Sequence, residues 1–329
     1  RVYSKPQCFF ICLSLSSGQN RKIGGSSVNK KHTASNADPS LLNLERIFKS
    51  AEFHQDWHNM PVWSEDHEGY YQLESSDSGY ELVFYDLASE RKKTIADSSM
   101  FVPEGNSKPL VFNTYSISRN LRYILVAVNP QTNAFVTFPT FDYWVLDTVG
   151  VRLWQLGPEN HSGRLMNACF SPDGSKVAYI SERNIFFEDL DTGECRQLTS
   201  DGNDTVINGN APDLFGCADV GIKWSPDSKS IAYIQFDINK AKAFIIRNYD
   251  PESKKKIKPF NHPRPGEPIP ATSIAVTQID TGDTVRAKLP GSPDDHYLFQ
   301  LIWHPASREV WVAQEKRDRK TLNVISIDS

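Results

Sequence analysis

A sequence pattern of short apolar runs and turn residues recurs along the chain, and this internal repeat constrains the fold more than any other feature. Its clearest copy spans residues 168–199. There, Pro-Asp-Gly at 172–174 and Asp-Thr-Gly at 191–193 separate apolar runs of four to seven residues. Proline presets φ and glycine accepts positive φ, so each of these turns ends a strand. The copy therefore predicts a four-stranded antiparallel meander.

The same pattern recurs elsewhere, with weaker similarity and with insertions. The weaker copies lie at residues 69–87, 115–147, 222–282 and 301–328. A small sheet of this kind cannot bury both faces alone, so successive copies must pack on one another. The five units predict an all-β fold, a β-propeller of four-stranded antiparallel blades. A β-sandwich with accidental similarity between its strands is the alternative.

Charge and composition exclude several classes of partner. The formal net charge is −4 and charged residues make up 23% of the chain, so we expect no nucleic-acid surface. No run of about 18 apolar residues occurs, and we expect no transmembrane span. The cysteines are few, widely spaced and without a Cys-x-x-Cys pair, which favours neither zinc nor a disulfide scaffold. His54, His58 and His67 lack ligand spacing, so neither a metal nor another cofactor is expected.

The first 40 residues differ from the rest of the chain. Residues 16–40 are rich in Ser, Gly, Asn and Lys without periodicity, and we expect residues 1–40 to be a disordered leader. The apolar stretch 8–15 follows Arg1 and Lys5, the order found in secretory signals, although there is no initiating Met. The leader is therefore either the remnant of a signal peptide or a segment without a function. A secreted, periplasmic or membrane-associated location is favoured over a cytoplasmic one.

Ordered structure is predicted from Leu41 onward, with a short helix or lead-in segment at 41–48. Four acidic residues in or near the blades are interpreted structurally. Asp173 and Asp227 recur at the same blade position and should form turns. Glu182 and Glu188 are expected to face solvent.

The residues around the turns are more specific than the turns themselves. The stretch 170–179, the Asp189-Leu-Asp-Thr-Gly turn, Ile207-Asn-Gly and Trp224-Ser-Pro-Asp together resemble the N-terminal propeller of the dipeptidyl peptidase IV family. Three further segments agree with that resemblance, and its order is colinear over residues 41–329. These segments are 44–48, the proline-rich stretch 262–270, and 289–303.

The resemblance implies an eight-bladed propeller followed by an α/β-hydrolase domain with a Ser, Asp and His triad. Such enzymes release dipeptides from peptide N-termini. No serine in this chain has glycine both two residues before and two residues after it, so the Gly-x-Ser-x-Gly nucleophile motif is missing. We therefore expect no catalytic residue, no hydrolase domain, and about five of the eight blades, an incomplete propeller that is inactive alone.

The resembled family also implies where substrate binds. Its propeller carries two glutamates after the Ile-Asn-Gly segment, and these hold the α-ammonium group of the substrate. The corresponding stretch here, 208–217, has no glutamate. Asp213 is the only acid in it and is the first candidate, with Asp219 second. The alternative is that Asp213 merely caps a turn beside Pro212.

The family further places an arginine from the second blade near the substrate carbonyl, just before a strand resembling Asp142-Tyr-Trp-Val-Leu-Asp. Residues 135–141 contain no arginine, so that cation is missing at this point of the sequence. Either this branch recognises something other than a free dipeptide N-terminus, or it has lost activity and keeps the scaffold.

Two functional hypotheses follow. In the first, the chain is the propeller of a serine exopeptidase. It controls access to the active-site cavity and binds peptide substrates by their free N-termini. The resemblance also allows a homodimer of the full-length protein. In the second, it is a non-enzymatic scaffold or an inactive homologue that binds a peptide or protein partner.

Overall fold

The structure, a computed structural model, describes residues 41–48, 61–64, 68–77, 79–112, 114–131, 139–157, 164–210, 221–244, 260–261 and 263–328. The chain divides into two compact units, residues 1–59 and 60–329. In the first unit, the predicted short helix is confirmed as α1 (Leu44–Phe48). Asn43 begins it, because its side-chain Oδ1 accepts a hydrogen bond of 2.8 Å from the Arg46 amide.

The second unit begins with three antiparallel four-stranded sheets in chain order. The first sheet comprises β1 (Val62–Trp63), β2 (Gly69–Ser76), β3 (Gly79–Asp86) and β4 (Arg91–Asp97), followed by a short 3₁₀ helix (Ser98–Phe101). The second comprises β5 (Thr114–Ile117), β6 (Tyr123–Gln131), β7 (Thr140–Asp147) and β8 (Arg152–Gln155). The third comprises β9 (Met166–Phe170), β10 (Lys176–Ser181), β11 (Asn184–Asp189) and β12 (Cys195–Gln197).

The fourth sheet has an interrupted first strand. It comprises β13 (Val206–Asn208), β14 (Ile222–Trp224), β15 (Ser230–Asp237), β18 (Ala271–Gln278) and β19 (Thr284–Arg286). Both β13 and β14 pair with β15, at opposite ends of it, while β18 occupies the other edge of β15. The two strands therefore lie end to end in one strand position, with residues 209–221 between them in the sequence.

The long connection in the fourth sheet carries a small hairpin, β16 (Ala243–Phe244) with β17 (Phe260–Asn261). In the part of the chain that the structure describes, the fifth sheet has three strands. These are β20 (His296–Trp303), β21 (Glu309–Lys316) and β22 (Leu322–Asp328). The predicted succession of five small antiparallel sheets is confirmed.

Apolar side chains fill the space between each pair of successive sheets. Leu82 and Ile124 belong to the layer between the first and second sheets, and Val145 and Tyr179 to the next. Further layers join the third to the fourth sheet and the fourth to the fifth. Each fully buried large side chain contributes about 1.5–3 kcal/mol. Because the middle sheets are covered on both faces, they are blades of a β-propeller, incomplete as predicted.

The turns after the first strands of the second, third and fourth blades use one recurring device. A serine hydroxyl donates to an Asp or Asn side chain two residues later, at 2.6 Å in Ser171–Asp173, Ser225–Asp227 and Ser118–Asn120. The predicted turn roles of the two aspartates are confirmed. The turns also meet, since the Asp173 amide donates to Ser228 Oγ at 3.0 Å. The first strands of neighbouring blades therefore converge, as strands around a propeller channel do.

Tryptophan side chains tie neighbouring blades together. Trp224 in the fourth sheet donates its indole N–H to the Cys169 carbonyl in the third, at 3.3 Å. Trp303 in the fifth sheet donates likewise to the Lys223 carbonyl in the fourth, at 2.8 Å. These bonds fix the register of one blade against the next.

The prediction that Glu188 faces solvent is wrong. Glu188 is 5% exposed and accepts hydrogen bonds from Trp154 Nε1 at 2.9 Å and from the Gly157 amide at 3.4 Å. The reason is that β11 is packed on both faces, so no side of the strand is left to solvent. Glu182 is exposed as expected, in the tight turn between β10 and β11, where its φ is +45°.

Candidate functional site

The segment that carries Asp213 and Asp219 lies outside the described residues, so the structure gives no position for either carboxylate. The residues on both sides are described. The Gly209 amide donates to the Ile234 carbonyl at 2.9 Å, and Gly221 leads into β14. The predicted binding segment therefore departs from and returns to the first-strand position of the fourth blade.

A closed hydrogen-bond network holds the point where the chain leaves β13. Asp201 accepts from Asn208 Nδ2 at 2.8 Å, from Gln235 Nε2 at 2.9 Å and from Arg286 at 3.0 Å. Gln235 Nε2 also donates to Asn208 Oδ1 at 2.8 Å, and Arg286 donates to Gln235 Oε1 at 2.7 Å. Asn208 is fully buried with both side-chain atoms bonded.

This network also decides the protonation state of Asp201. Partial burial by itself would raise the pKa of the carboxyl group. The amides of Asn208 and Gln235 and the Arg286 cation outweigh that effect and hold the pKa below its usual 3.8. Asp201 is therefore a carboxylate at neutral pH, committed to three donors within the protein.

A cation lies at the edge of the second blade. Arg164, from the connection between β8 and β9, approaches Asp142 at 3.5 Å and donates to the Thr140 carbonyl at 3.3 Å. Asn129 donates to the same aspartate at 2.8 Å. The sequence analysis considered a cation only directly before Asp142 and missed Arg164. Arg164 comes about twenty residues after Asp142 in the sequence, and the Phe141–Leu165 bridge brings it back beside β7.

Two asparagines each have one buried side-chain atom with no hydrogen-bond partner among the described residues. They are Asn167 Nδ2 in β9 and Asn210 Oδ1 just after β13. Arg164 Nε is a third such atom nearby in the sequence. Sequence reasoning singled out none of the three, because an asparagine beside a strand reads as an ordinary turn residue.

A cavity of about 390 Å³ opens where the turns after the first strands meet. It is lined by Arg119, Asn120, Pro172, Asp173, Pro226, Asp227 and Ser228. Asp173 and Asp227 are bonded within their own turns, and both have a pKa below the usual value. For Asp173, burial opposes this and the Ser171 and Ser175 hydrogen bonds prevail; for Asp227, the Ser225 hydroxyl is the main cause. The cavity is thus built from turn-forming groups already in use.

Within the described ranges, no group of three or more His, Cys, Asp or Glu side chains is arranged to hold a metal ion. His54, His58 and His67 lie outside those ranges. A search of the same residues finds no helix with the length and apolar character needed to cross a bilayer.

A family model described as the dipeptidyl peptidase IV (DPP IV) N-terminal region matches residues 118–329, more than half of the chain. A probable dipeptidyl-aminopeptidase B of Talaromyces marneffei is 26% identical over 242 residues, covering 68% of this chain and 26% of that protein. Its counterpart in Talaromyces stipitatus is 25% identical over 279 residues, covering 78% and 30%. The chain therefore spans less than a third of the length of these relatives.

Among solved structures, Porphyromonas gingivalis dipeptidyl peptidase 4 superposes with a TM-score of 0.75 at 21% identity. The match covers 87% of this chain and 40% of that one, and it concerns the fold. The fold match and the family model point to the same family. The chain accordingly belongs to the dipeptidyl peptidase IV family, and residues 118–329 are part of the N-terminal region of that family.

Proposed function

We propose that this chain is the substrate-gating and N-terminus-binding propeller region of a serine exopeptidase, without catalytic activity of its own. Its propeller would admit slender unfolded peptides and position their amino ends. The observation that carries the proposal is the interrupted first strand of the fourth blade, where β13 and β14 share one edge of β15. A continuous strand would leave no segment there to meet a peptide.

Asp213 is the proposed partner of the substrate's α-ammonium group, with Asp219 as the second candidate. A carboxylate that binds an ammonium group forms a charge-assisted hydrogen bond, which is about twice as strong as a neutral one. One carboxylate in place of the family's two glutamates gives weaker binding of the same kind. The network around Asp201 supports this role, since it fixes the base of the segment.

The second candidate function is a non-enzymatic scaffold or inactive homologue that binds a peptide or protein partner. The specific observation in its favour is the state of Arg164. Its guanidinium group is engaged by Asp142 and the Thr140 carbonyl, so it is only partly available to anchor a substrate carbonyl. The lack of any glutamate in residues 208–217 points the same way.

Calorimetric titration of the 329-residue chain with Ala-Pro-Ala-Ala-amide tests the proposal. We expect acetylation of the peptide amine, or the Asp213→Asn substitution, to weaken binding about tenfold or more, because each removes one side of a charge-assisted pair. Asp204→Asn is the matched control, since its side chain is 94% exposed. Equal affinity for free and acetylated peptide would favour the scaffold function instead.

A further inference from the structure

Asn203, Asp204 and Thr205 form an Asn-x-Ser/Thr sequence, the acceptor motif for N-linked oligosaccharides. A second copy of the motif, at residues 160–162, lies outside the described residues. The motif is short and occurs by chance in many chains, so its use depends on where the fold places it. An acceptor must lie on the surface, where a bulky oligosaccharide displaces no packed side chain.

The fold places Asn203 in an exposed turn. The turn belongs to the connection between β12 of the third blade and β13 of the fourth, and Asn203 is exposed in it. The side chain of the next residue, Asp204, is 94% exposed. The motif at residues 203–205 therefore meets the requirement for a surface position.

Hydrogen bonds hold this turn in one conformation. Asn203 Oδ1 accepts from the Thr205 amide at 2.8 Å, from Thr205 Oγ1 at 2.9 Å and from the Val206 amide at 3.1 Å. The Asn203 amide donates to the Val206 carbonyl at 2.9 Å, and the Ile238 amide donates to the Thr205 carbonyl at 2.8 Å. None of these bonds uses Asn203 Nδ2, which is the atom that would carry an oligosaccharide.

The side-chain nitrogen of Asn203 has two N–H groups, and the turn uses one of them. That group donates to the Asp201 carbonyl at 3.0 Å. An N-linked oligosaccharide replaces one N–H group, leaves the other in place, and keeps Oδ1 as an acceptor. The folded turn can therefore retain all of its hydrogen bonds after modification.

The turn and the cavity lie at different ends of the fourth blade. Val206, directly after the motif, pairs with Asp237 at the end of β15. Residues 226–228, which line the cavity, precede Ser230 at the start of the same strand. An oligosaccharide on Asn203 is therefore attached at the other end of β15 from the cavity.

We propose that Asn203 is the acceptor of an N-linked oligosaccharide. In the transfer, Nδ2 loses one proton and forms a bond to the anomeric carbon of the first sugar. The bond between that carbon and the pyrophosphate of a lipid-linked oligosaccharide donor breaks, and the lipid pyrophosphate leaves with the electron pair. The inference does not depend on the proposed function. It requires that this end of the fourth blade faces solvent in the mature protein.

The test maps the oligosaccharide on the protein itself. The 329-residue chain is secreted from a eukaryotic host behind a cleavable signal peptide. Treatment with peptide-N-glycosidase F in heavy-oxygen water then converts each occupied asparagine into a labelled aspartate. We expect peptide mass spectrometry to find the label at position 203 in most of the molecules. Recovery of this peptide with Asn203 unlabelled, in the secreted protein and in protein retained by the cells, would overturn the proposal.

Variants test whether the motif itself is used. All are made together with Asn160→Gln, which removes the other Asn-x-Ser/Thr site of the sequence. Asn203→Gln and Thr205→Ala should each lose the remaining shift in electrophoretic mobility on deglycosylation. Asp204→Asn is the matched control, because it keeps the motif and should keep the shift. Retained protein is included, so the result does not require a variant to fold. A shift that persists in Asn203→Gln, or that disappears in Asp204→Asn, would contradict the assignment.

Discussion

Glu188 places a carboxyl group between the second and third blades. Burial raises its pKa above the usual 4.5, and the hydrogen bonds from Trp154 and Gly157 and the charge of Arg152 offset only part of that effect. A strand inside a propeller is covered on both faces, so alternation of polar and apolar residues does not identify its exposed side. This is why the sequence predicts the turn at Asp173 correctly and misplaces Glu188.

The raised pKa makes the stability of the fold depend on pH. Below about pH 4.5 the carboxyl is protonated both folded and unfolded, and its favourable contribution is complete. As pH rises through the folded pKa, that contribution is lost. Glu188→Gln keeps an oxygen to accept from Trp154 and does not ionise. The free energy of unfolding of Glu188→Gln should therefore increase relative to that of wild type as pH rises. The increase should be about 1.4 kcal/mol for each unit by which the folded-state pKa of Glu188 is raised.

Urea denaturation between about pH 4.5 and about pH 8 measures this difference. Glu104→Gln, at an exposed loop carboxylate, is the control and should follow wild type throughout. Parallel curves for Glu188→Gln and wild type would show that the carboxyl is not desolvated.

At the scale of the element, local turn chemistry is what the sequence predicts well. The Ser-Pro-Asp turns mark the first and second strands of the third and fourth blades. The strands β4 and β8 have no such signal. β4 begins Arg-Lys-Lys and is largely exposed, so it has no apolar run to reveal it. The end-to-end pairing of β13 and β14 depends on long-range contacts with β15, which no local pattern contains.

The network around Asp201 is expected to stabilise the end of β13. Asp201→Asn keeps one oxygen and loses the other, which accepts from Gln235 and Arg286. Because the side chain is 48% exposed, the free energy of unfolding should fall by only about 1 kcal/mol at neutral pH. Because the pKa of Asp201 lies below 3.8 in the folded state, its contribution is present above that value and disappears as pH falls further. The deficit of the variant should therefore shrink in acid.

Urea denaturation at neutral and at acid pH is the measurement for Asp201→Asn. Asp204→Asn, three residues along and almost fully exposed, should change stability by no more than about 0.5 kcal/mol. A deficit that stays constant into strong acid would exclude a role for the carboxylate charge.

For the molecule as a whole, the number and order of the blades could be read from the repeat, since each blade uses the same turn and strand chemistry. The candidate site could be predicted only as a segment. Arg164 lies beside Asp142 because adjacent blades pack together, and the contact between Asn210 and Met166 across two blades has the same origin. Contacts between blades are set by packing, which the sequence of one blade does not specify.

The tryptophan ties between blades predict an asymmetry within the fifth sheet. Trp303 is 8% exposed and bonded to the fourth blade, so Trp303→Phe should lower the free energy of unfolding by about 2 kcal/mol through lost packing and a lost hydrogen bond. Trp311 is 40% exposed and bonds within its own strand, so Trp311→Phe should cost no more than about 0.5 kcal/mol. Equal costs in urea denaturation would contradict the stacking of the fourth and fifth blades.

Hydrogen–deuterium exchange of the chain with and without Ala-Pro-Ala-Ala-amide tests most directly whether a peptide binds at the interrupted strand. Saturating peptide should slow exchange at the amides of residues 206–210 and 221–224. Exchange at the turns 171–175 and 225–229, which follow β9 and β14, should be unchanged. Slower exchange at those turns alone, or no change anywhere, would contradict a peptide-binding role for the fourth blade.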